Sequence, residues 1–199
     1  MKNNSTILKL AQTALLAALC YVAFAYLKIP IPLPGGDAVA LHIGNAFAVL
    51  AALLLGGVYG GLAGAIGMTI ADLMDPMYIS SAPKTFILKF FIGLITGIIA
   101  HKIAKITETE DRKYIFKWTI ISSIGGLTFN VIFDPIVGYF YKLYILGVNA
   151  ELSAILAKWA AGATFINAVV SVILVVFLYM ALRPTLKKAG IFPTPGIGK

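Results

Sequence analysis

Long apolar tracts, each near the length that crosses a lipid bilayer, cover most of this 199-residue chain. A membrane helix needs about 20 mostly apolar residues, and 60% of the residues are hydrophobic while only 12% are charged. A water-soluble domain of this size would need far more polar surface. The sequence therefore predicts an all-α integral membrane protein, one domain folded as a six-transmembrane-helix bundle, with spans at 6–27, 42–57, 58–74, 84–104, 115–142 and 156–182.

Basic residues are distributed as they are in multi-pass membrane proteins. The net charge of +8 does not indicate nucleic-acid binding, because Lys and Arg collect at one predicted membrane face, which the positive-inside rule makes cytoplasmic. We therefore expect both termini in the cytoplasm and the protein in the cytoplasmic membrane. The first apolar tract also resembles a cleavable signal sequence, but its removal would leave five spans and spoil this charge asymmetry.

Polar residues gather in the predicted outer half of the bundle, whereas the inner half is nearly pure Ala, Leu, Ile, Val and Gly. A charge at the bilayer centre costs at least about 2.5–3.5 kcal/mol, so this concentration points to a one-sided binding cup for a small polar molecule. No polar path runs from face to face, which argues against a channel. The candidate substrate-binding residues are His42, Asn45, Asp75, Tyr78, Lys84, Asn130, Asp134, Lys158, Trp159 and Asn167.

Several of these residues have a simpler interpretation that stays open at this point. Asp75, Lys84 and Lys158 could be interfacial side chains that reach water, and Asn130 and Asn167 could form hydrogen bonds between helices. In the binding interpretation, Tyr78 and Trp159 would contact a ring or apolar part of the ligand. A lysine would suit a carboxylate or phosphate group.

Two further segments suggest interactions outside the cup. Ala14 and Ala18 are four residues apart on the first helix, which allows close approach either of the protein's own helices or of a partner helix. The segment after that helix contains Pro30, Pro32, Pro34, Gly35 and Gly36. Alternating prolines force an extended backbone, and the segment would either lie over the bundle as a lid or rest among the lipid headgroups.

Several kinds of chemistry have no motif in this sequence. There is no GxxxxGK[ST] phosphate loop, no HExxH or paired-cysteine metal site and no GxSxG nucleophile. Two aspartates three residues apart, Asp72 and Asp75, are weak support for a metal-dependent transferase. We therefore expect a protein that is not an enzyme and has no metal or cofactor.

The segment from His42 to Lys102 carries a family resemblance. It reads HIGNAFAVLAALLLGGVYGGLAGAIGMTIADLM, followed by the run APKTFILKFFIGLITGIIAHKI. These residues resemble the substrate-binding S components of energy-coupling factor (ECF) vitamin transporters, nearest to the riboflavin, pantothenate and pyrimidine-precursor group. Members typically have His-Leu-Gly-Asp where this chain has His42-Ile43-Gly44-Asn45, so ligand preference is expected to diverge at Asn45.

The resemblance implies a six-helix bundle that binds a vitamin or vitamin precursor in its outer half. It also implies partners, namely a membrane scaffold subunit and two ATPases, which would supply the ATP chemistry missing here. Ala14 and Ala18 would then dock on the scaffold, and the segment from Ile29 to Asp37 would gate the cup. The competing hypothesis is a stand-alone secondary transporter driven by protons or sodium, with Asp72, Asp75 or Asp134 as the titrating group.

Overall fold

Six helices and one β-hairpin make up the described part of the chain. The computed structural model describes residues 2–190, with side chains from Thr6 onward. The elements in chain order are α1 (Lys2–Ala25), β1 (Lys28–Pro32), β2 (Ala38–His42), α2 (Gly44–Leu55), α3 (Gly57–Leu73), α4 (Ala82–Gly97), α5 (Arg112–Phe140) and α6 (Ala150–Lys188). Two of the helices continue as short π-helical stretches, α4 through Ile98–Ile103 and α5 through Tyr141–Ile145.

Within the described residues, four helical segments are long and apolar enough to cross a membrane: Thr6–Ala25, Ile79–Ile103, Arg112–Ile145 and Ala150–Lys188. Their outward faces carry exposed large apolar side chains such as Leu15, Phe165 and Phe177. An apolar surface of this extent suits contact with lipid and not with water. The helical, apolar architecture is therefore that of a membrane protein.

α2 is the central element of the bundle. Every residue of it except Phe47 is buried, and its side chains Leu50 and Leu53 belong to the main apolar core. At 1.5 Å per residue its 12 residues extend about 18 Å, which is short of the roughly 30 Å hydrocarbon core. α2 is therefore enclosed by the other helices and shielded from lipid.

α2 and α3 are two separate helices, as the glycine-rich junction between them predicted. Gly56 has φ 91° and ψ 170°, a conformation that favours glycine and ends α2. The chain then reverses, so that Gly60 packs on Ala52 and Gly64 packs on Ala48. The two helices are consequently antiparallel and in close backbone contact.

α3 and α4 approach each other through glycines on both helices. Gly93 faces Gly61, and Gly97 faces Gly57, so closely that a Cβ atom at either α4 position would overlap the α3 backbone. Small residues permit this approach, which strengthens helix association where no hydrophobic effect drives it. This glycine contact fixes α4, and with it the polar side chains that α4 carries.

A two-stranded hairpin, which the sequence did not predict, is added to the helical bundle. β1 and β2 pair antiparallel with Lys28 opposite His42 and Pro32 opposite Ala38. The alternating prolines do give an extended strand, as predicted, and the residues between them still pair with β2. Gly35 and Gly36, with φ 78° and 77°, form the turn. Sequence patterning missed β2 because proline in β1 argues against a paired strand.

The hairpin, the segment between α3 and α4 and the segment between α5 and α6 lie together, and we call this region the cavity end. The opposite region, the far end, contains Gly56, the connection between α4 and α5 and the end of α6. There the buried Arg183 donates hydrogen bonds to the carbonyls of Ile106 (2.9 Å) and Thr109 (2.8 Å). These bonds hold the end of α6 against the connection between α4 and α5.

Candidate functional site

A polar cavity of about 110 Å³ lies at the cavity end. The hairpin covers it, all six helices contribute to its wall, and its lining includes three carboxylates and three lysines. Seven of the ten predicted binding residues line it: His42, Asn45, Tyr78, Lys84, Asn130, Asp134 and Asn167. Residues from distant parts of the sequence are thus brought together around one cavity.

Asp134 on α5 has a full set of partners. Its Oδ1 lies 2.8 Å from the ammonium of Lys84 on α4, and its Oδ2 accepts a hydrogen bond from the Thr164 hydroxyl of α6 at 3.0 Å. A buried carboxylate requires such partners, because an unpaired one is costly in a low-dielectric site. Asp134 therefore joins three helices at the cavity wall.

Two ion pairs hold the hairpin onto the helices. Asp37, in the hairpin turn, pairs with Lys142 at the end of α5. Lys28, the first residue of β1, contacts the carboxylate of Asp75 at 2.5 Å and lies 4.4 Å from the ring centroid of Tyr78. The hydrogen bond from Lys28 lowers the pKa of Asp75 below its usual value, so this carboxylate stays charged at neutral pH.

Asn167 fastens the second strand of the hairpin to α6. Its Oδ1 accepts a hydrogen bond from the backbone N–H of His42, and its Nδ2 donates one to the carbonyl of Ala40, both at 2.9 Å. Both ends of the amide are thereby occupied by the hairpin backbone. Asn167 lines the cavity, but its polar atoms position the cover.

His42 lies where the hairpin enters α2. Its Nδ1 accepts a hydrogen bond from the backbone N–H of Gly44 at 3.1 Å, and its ring meets the Phe24 ring edge-on with centroids 4.6 Å apart. The ring thus satisfies an otherwise free donor at the start of α2. From this point α2 runs into the bundle, directly below the cavity.

Polar atoms at the base of the cavity are only partly satisfied. The ammonium of Lys89 lies 3.4 Å from Oδ1 of Asn130, which is longer than a typical hydrogen bond. The Asp72 carboxylate accepts a hydrogen bond from the Thr85 side chain. Among the described residues, three buried atoms here have no partner: Nδ2 of Asn130, Oδ1 of Asn45 and Oδ2 of Asp72.

Three predicted binding residues are not in the lining. Asp75 faces Lys28 at the rim, while Lys158 and Trp159 line a separate apolar groove with Ile31, Val39 and Leu41. The reason is helical geometry: Leu156, Ala160 and Asn167 mark the cavity face of α6. At about 100° per residue, Lys158 falls on the opposite face and Trp159 about a quarter turn away.

Seven charged or hydroxyl side chains line the cavity but were not among the predicted binding residues: Asp37, Asp72, Ser81, Thr85, Lys89, Lys142 and Thr164. A helical signal for two of them exists in the sequence. Lys89 lies four residues after Thr85, and Thr164 lies three residues before Asn167. Each therefore shares a helix face with another residue of the cavity lining. Asp37 and Lys142 carry no such signal, since their pairing joins positions 105 apart in sequence.

The lining suits binding of a small polar molecule. It combines cationic, anionic and amide groups with the rings of Phe24 and Tyr78, the mixture by which concave sites fix ligand orientation. Across the residues described, no cluster of three or more His, Cys, Asp or Glu side chains could hold a metal ion. The charged and amide groups of the lining are of the kinds that recognise a ligand through charge and hydrogen bonding.

Known proteins share the architecture of this chain. It is 19% identical to the structure of ThiT from Listeria monocytogenes, over 91% of this chain and 97% of that chain, with a TM-score of 0.64. A structure titled as the S component of a bacterial ECF transporter is 22% identical, over 94% of this chain and 99% of that chain, with a TM-score of 0.59. At these identities the likeness establishes the fold alone. No curated protein matches the sequence.

A family model shows the relationship directly and confirms the resemblance stated from the sequence. The model described as "ECF-type riboflavin transporter, S component" matches residues 4–184, which is nearly the whole chain. Proteins of this kind are substrate-binding transporter subunits and not enzymes. The chain therefore belongs to the ECF-type riboflavin transporter S component family.

Proposed function

We propose that this protein captures a water-soluble vitamin or vitamin precursor from outside the cell as the S component of an ECF-type importer. A scaffold subunit and two ATPases would then complete delivery to the cytoplasm. The observation that carries the proposal is the polar cavity at one end of the bundle, lined by charged and amide side chains, in a member of this family. Such a cavity suits a polar solute, and among the described residues its lining lies at one end of the bundle.

The proposed orientation puts the cavity end outside and the far end in the cytoplasm, with six spans and both termini cytoplasmic in the cell membrane. The basic residues support it, because Lys102, Lys105 and Lys113 flank the connection at the far end and Lys187 and Lys188 end α6. The basic C-terminal Lys199, which contributed to the predicted topology, lies outside the described residues. α2 would cross as an enclosed element that the surrounding helices shield from lipid.

The hairpin is proposed to gate the cavity. It covers the lining, and it is attached by two ion pairs and the Asn167 amide, all of which are polar contacts that can separate. Pro30, Pro32 and Pro34 stiffen the hairpin, while Gly35 and Gly36 form its turn. A stiff cover on separable contacts suits a substrate that must enter and later leave.

Ala14 and Ala18 are proposed to dock on the scaffold subunit. Both are exposed, whereas Ala17 and Cys20, on an adjoining face of α1, pack against Gly67. The small-residue stripe is therefore available to another chain.

Co-purification with a scaffold subunit should be lost in Ala14→Trp and Ala18→Trp, and should persist in the control Val169→Trp, which alters an exposed apolar position on α6. Equal complex yield in all three variants would exclude this stripe as the docking surface.

Uptake into cells lacking their own vitamin transporters tests the function as a whole. Accumulation of a labelled vitamin should require this protein, the scaffold and both ATPases together, while the purified protein alone should bind the same compound. Uptake by the chain alone in liposomes, driven by a proton or sodium gradient, would instead support the stand-alone secondary transporter. In that case Asp134→Asn would be expected to abolish the ion dependence.

A further inference from the structure

The charged groups of the cavity do not all pair with one another. Asp134 pairs with Lys84 and Asp37 pairs with Lys142, which accounts for two carboxylates and two lysines. Lys89 and Asp72 are left over. Within the described part of the chain neither forms an ion pair within 4.0 Å.

Both of these leftover groups are deeply buried. The exposed fraction is 8% for Lys89 and 1% for Asp72. Burying an ammonium or a carboxylate without a close counter-charge is costly, and proteins retain such groups mainly where they serve a ligand or a mechanism. The 3.4 Å contact of Lys89 with Asn130 is too long to offset that cost.

The neighbouring amides have unused polar atoms of matching kinds. The Asn130 amide contacts Lys89 through its oxygen and leaves its N–H₂ group without a partner among the residues described. Oδ1 of Asn45, like Oδ2 of Asp72, is an acceptor with no partner there. Among the described residues, the base of the cavity thus has two donor groups with unused hydrogens, the Lys89 ammonium and the Asn130 amide, and two acceptor oxygens without a partner, at Asp72 and Asn45.

We infer that the substrate is a small molecule with an anionic group, a carboxylate or phosphate, bound by Lys89 and the Asn130 amide, and with a hydrogen-bond donor or cationic nitrogen bound by Asp72 and Asn45. The inference rests on the proposed function and specifies its ligand. Charge-assisted hydrogen bonds to a buried ammonium are among the strongest that proteins form. The same lysine would reject a neutral group of equal size.

The dimensions of the cavity further restrict the ligand. Its volume of about 110 Å³ is well below the roughly 300 Å³ at which pockets for drug-sized ligands begin. Among the described residues, Phe24 and Tyr78 are the phenyl-type rings of its lining, and two separate rings give little aromatic surface for a fused three-ring system. A flavin is therefore a poor fit, and a single-ring or acyclic compound is a good one.

Matched pairs of acidic and neutral compounds test the inference by calorimetry on the full-length protein in lipid nanodiscs. The probes are pantothenate with panthenol, nicotinate with nicotinamide, pyridoxal 5′-phosphate with pyridoxal, and riboflavin. We expect at least one acid to bind, with its neutral partner weaker by about 10- to 100-fold, the range for loss of one charged hydrogen bond. The carboxylate and phosphate pairs separate the two anion types. Binding of riboflavin or a neutral member as tightly as any acid, or binding of no acid, would overturn the inference.

Variants at the base of the cavity locate the anion site. Lys89→Met should weaken binding of the acid by about 10- to 100-fold and leave the neutral partner unchanged, while Lys89→Arg should retain most of the preference. Lys117→Met, an exposed lysine at the far end of α5, is the matched control and should change nothing. Unchanged affinity of the acid in Lys89→Met would remove this lysine from the site.

A second variant guards against loss of folding. Asn130→Asp supplies Lys89 with a carboxylate where an amide now contacts it, so the fold should be retained and the acid should no longer bind. Retained acid binding in this variant would contradict the inference. The proposed function is judged separately, by uptake. Scaffold-dependent uptake of riboflavin or another neutral vitamin would support the proposed function and refute the anionic ligand. Absence of scaffold-dependent uptake for every vitamin tested would refute the proposed function as well.

Discussion

The cavity end and the far end of the bundle are both well buried, but different residues fill them. Near the far end, α2, α3 and α4 pack through glycine and alanine with direct backbone contact. At the cavity end the same helices carry Asn45, Asp72 and Lys89, whose polar atoms are partly without partners in the described chain. Close packing at one end holds the backbones that place these side chains at the other.

This difference teaches where stability and recognition reside. Backbone contact leaves no room for an added methyl group, so the packed region should respond to changes of volume. The base of the cavity should respond to changes of charge and hydrogen bonding with a smaller effect on folding, because Lys89 and Asp72 form no ion pair within the described part of the chain. Four predictions, in decreasing order of expected effect, test this contrast.

Adding one methyl group to the packed region should destabilise the protein most. Gly93→Ala puts a Cβ into the α3 backbone at Gly61, and we expect a loss of about 3 kcal/mol in the free energy of unfolding, measured by titration with SDS. Gly162→Ala is the matched control, because nothing lies within 4 Å of a Cβ there and alanine favours a helix. Equal stability of the two variants would contradict the close α3–α4 contact.

Releasing the hairpin should have a smaller and more local effect. Asn167→Ala leaves the His42 N–H and the Ala40 carbonyl without the partners they have now, at a cost of about 2 kcal/mol. Amide hydrogen exchange in β2 should then become about 30-fold faster. Asn130→Ala is the control, since it changes the cavity without touching the hairpin. Unaltered exchange in Asn167→Ala would show that the strand is held by other contacts.

Acid should loosen the outer attachment of the hairpin slightly. Because the pKa of Asp75 is lowered by Lys28, its contribution is complete above the ordinary carboxyl pKa of about 3.9 and is lost as the pH falls through the lowered value. A partly exposed ion pair contributes at most about 1 kcal/mol.

A spin label reports this effect through its mobility. Attached at Ile29→Cys in a Cys20→Ala background, it should keep constant mobility from pH 7 to 5 and become more mobile below about pH 4. In Asp75→Asn, which lacks this ion pair, the label should already have the higher mobility at pH 7 and should keep it as the pH falls. A transition between pH 5 and 7 would assign the change to another group.

The smallest effect is expected at Lys158, which the sequence suggested as a binding residue. Its side chain is exposed in the apolar groove beside the hairpin and not in the cavity. Lys158→Met should therefore leave vitamin affinity within about twofold of wild type, as is usual for surface changes of up to about 0.5 kcal/mol. A tenfold loss of affinity would return Lys158 to the binding site.

Much of the helical architecture follows from hydropathy and glycine positions. A helix occupies Gly57–Leu73 where the sequence predicted a span over 58–74, and α2 ends at the predicted junction. Hydropathy underestimates α6, which begins at Ala150 because Asn149 caps it, accepting a hydrogen bond from the Leu152 N–H at 2.8 Å. A search for apolar stretches does not include the polar residues at the start of α6 or the basic residues of its last turn.

The composition of the cavity was less predictable than its position. Local patterns placed Asn130 and Asp134 on one helix face, and both line the cavity. The ion pairs of the hairpin join residues 47 and 105 positions apart, and no local pattern encodes such pairing. The two orientations of Asn167, toward a ligand or toward the backbone, are equally compatible with the sequence.

The attachment of Asn167 to β2 has a kinetic consequence. This amide fastens the hairpin to α6 with two hydrogen bonds. Under the proposed gating role of the hairpin, a ligand below it would leave only after both bonds and the hairpin ion pairs have separated. The residence time of any ligand is then limited by how often the hairpin opens, as in other proteins whose lid controls product release. Ligands of quite different affinity would share one upper limit on their dissociation rate.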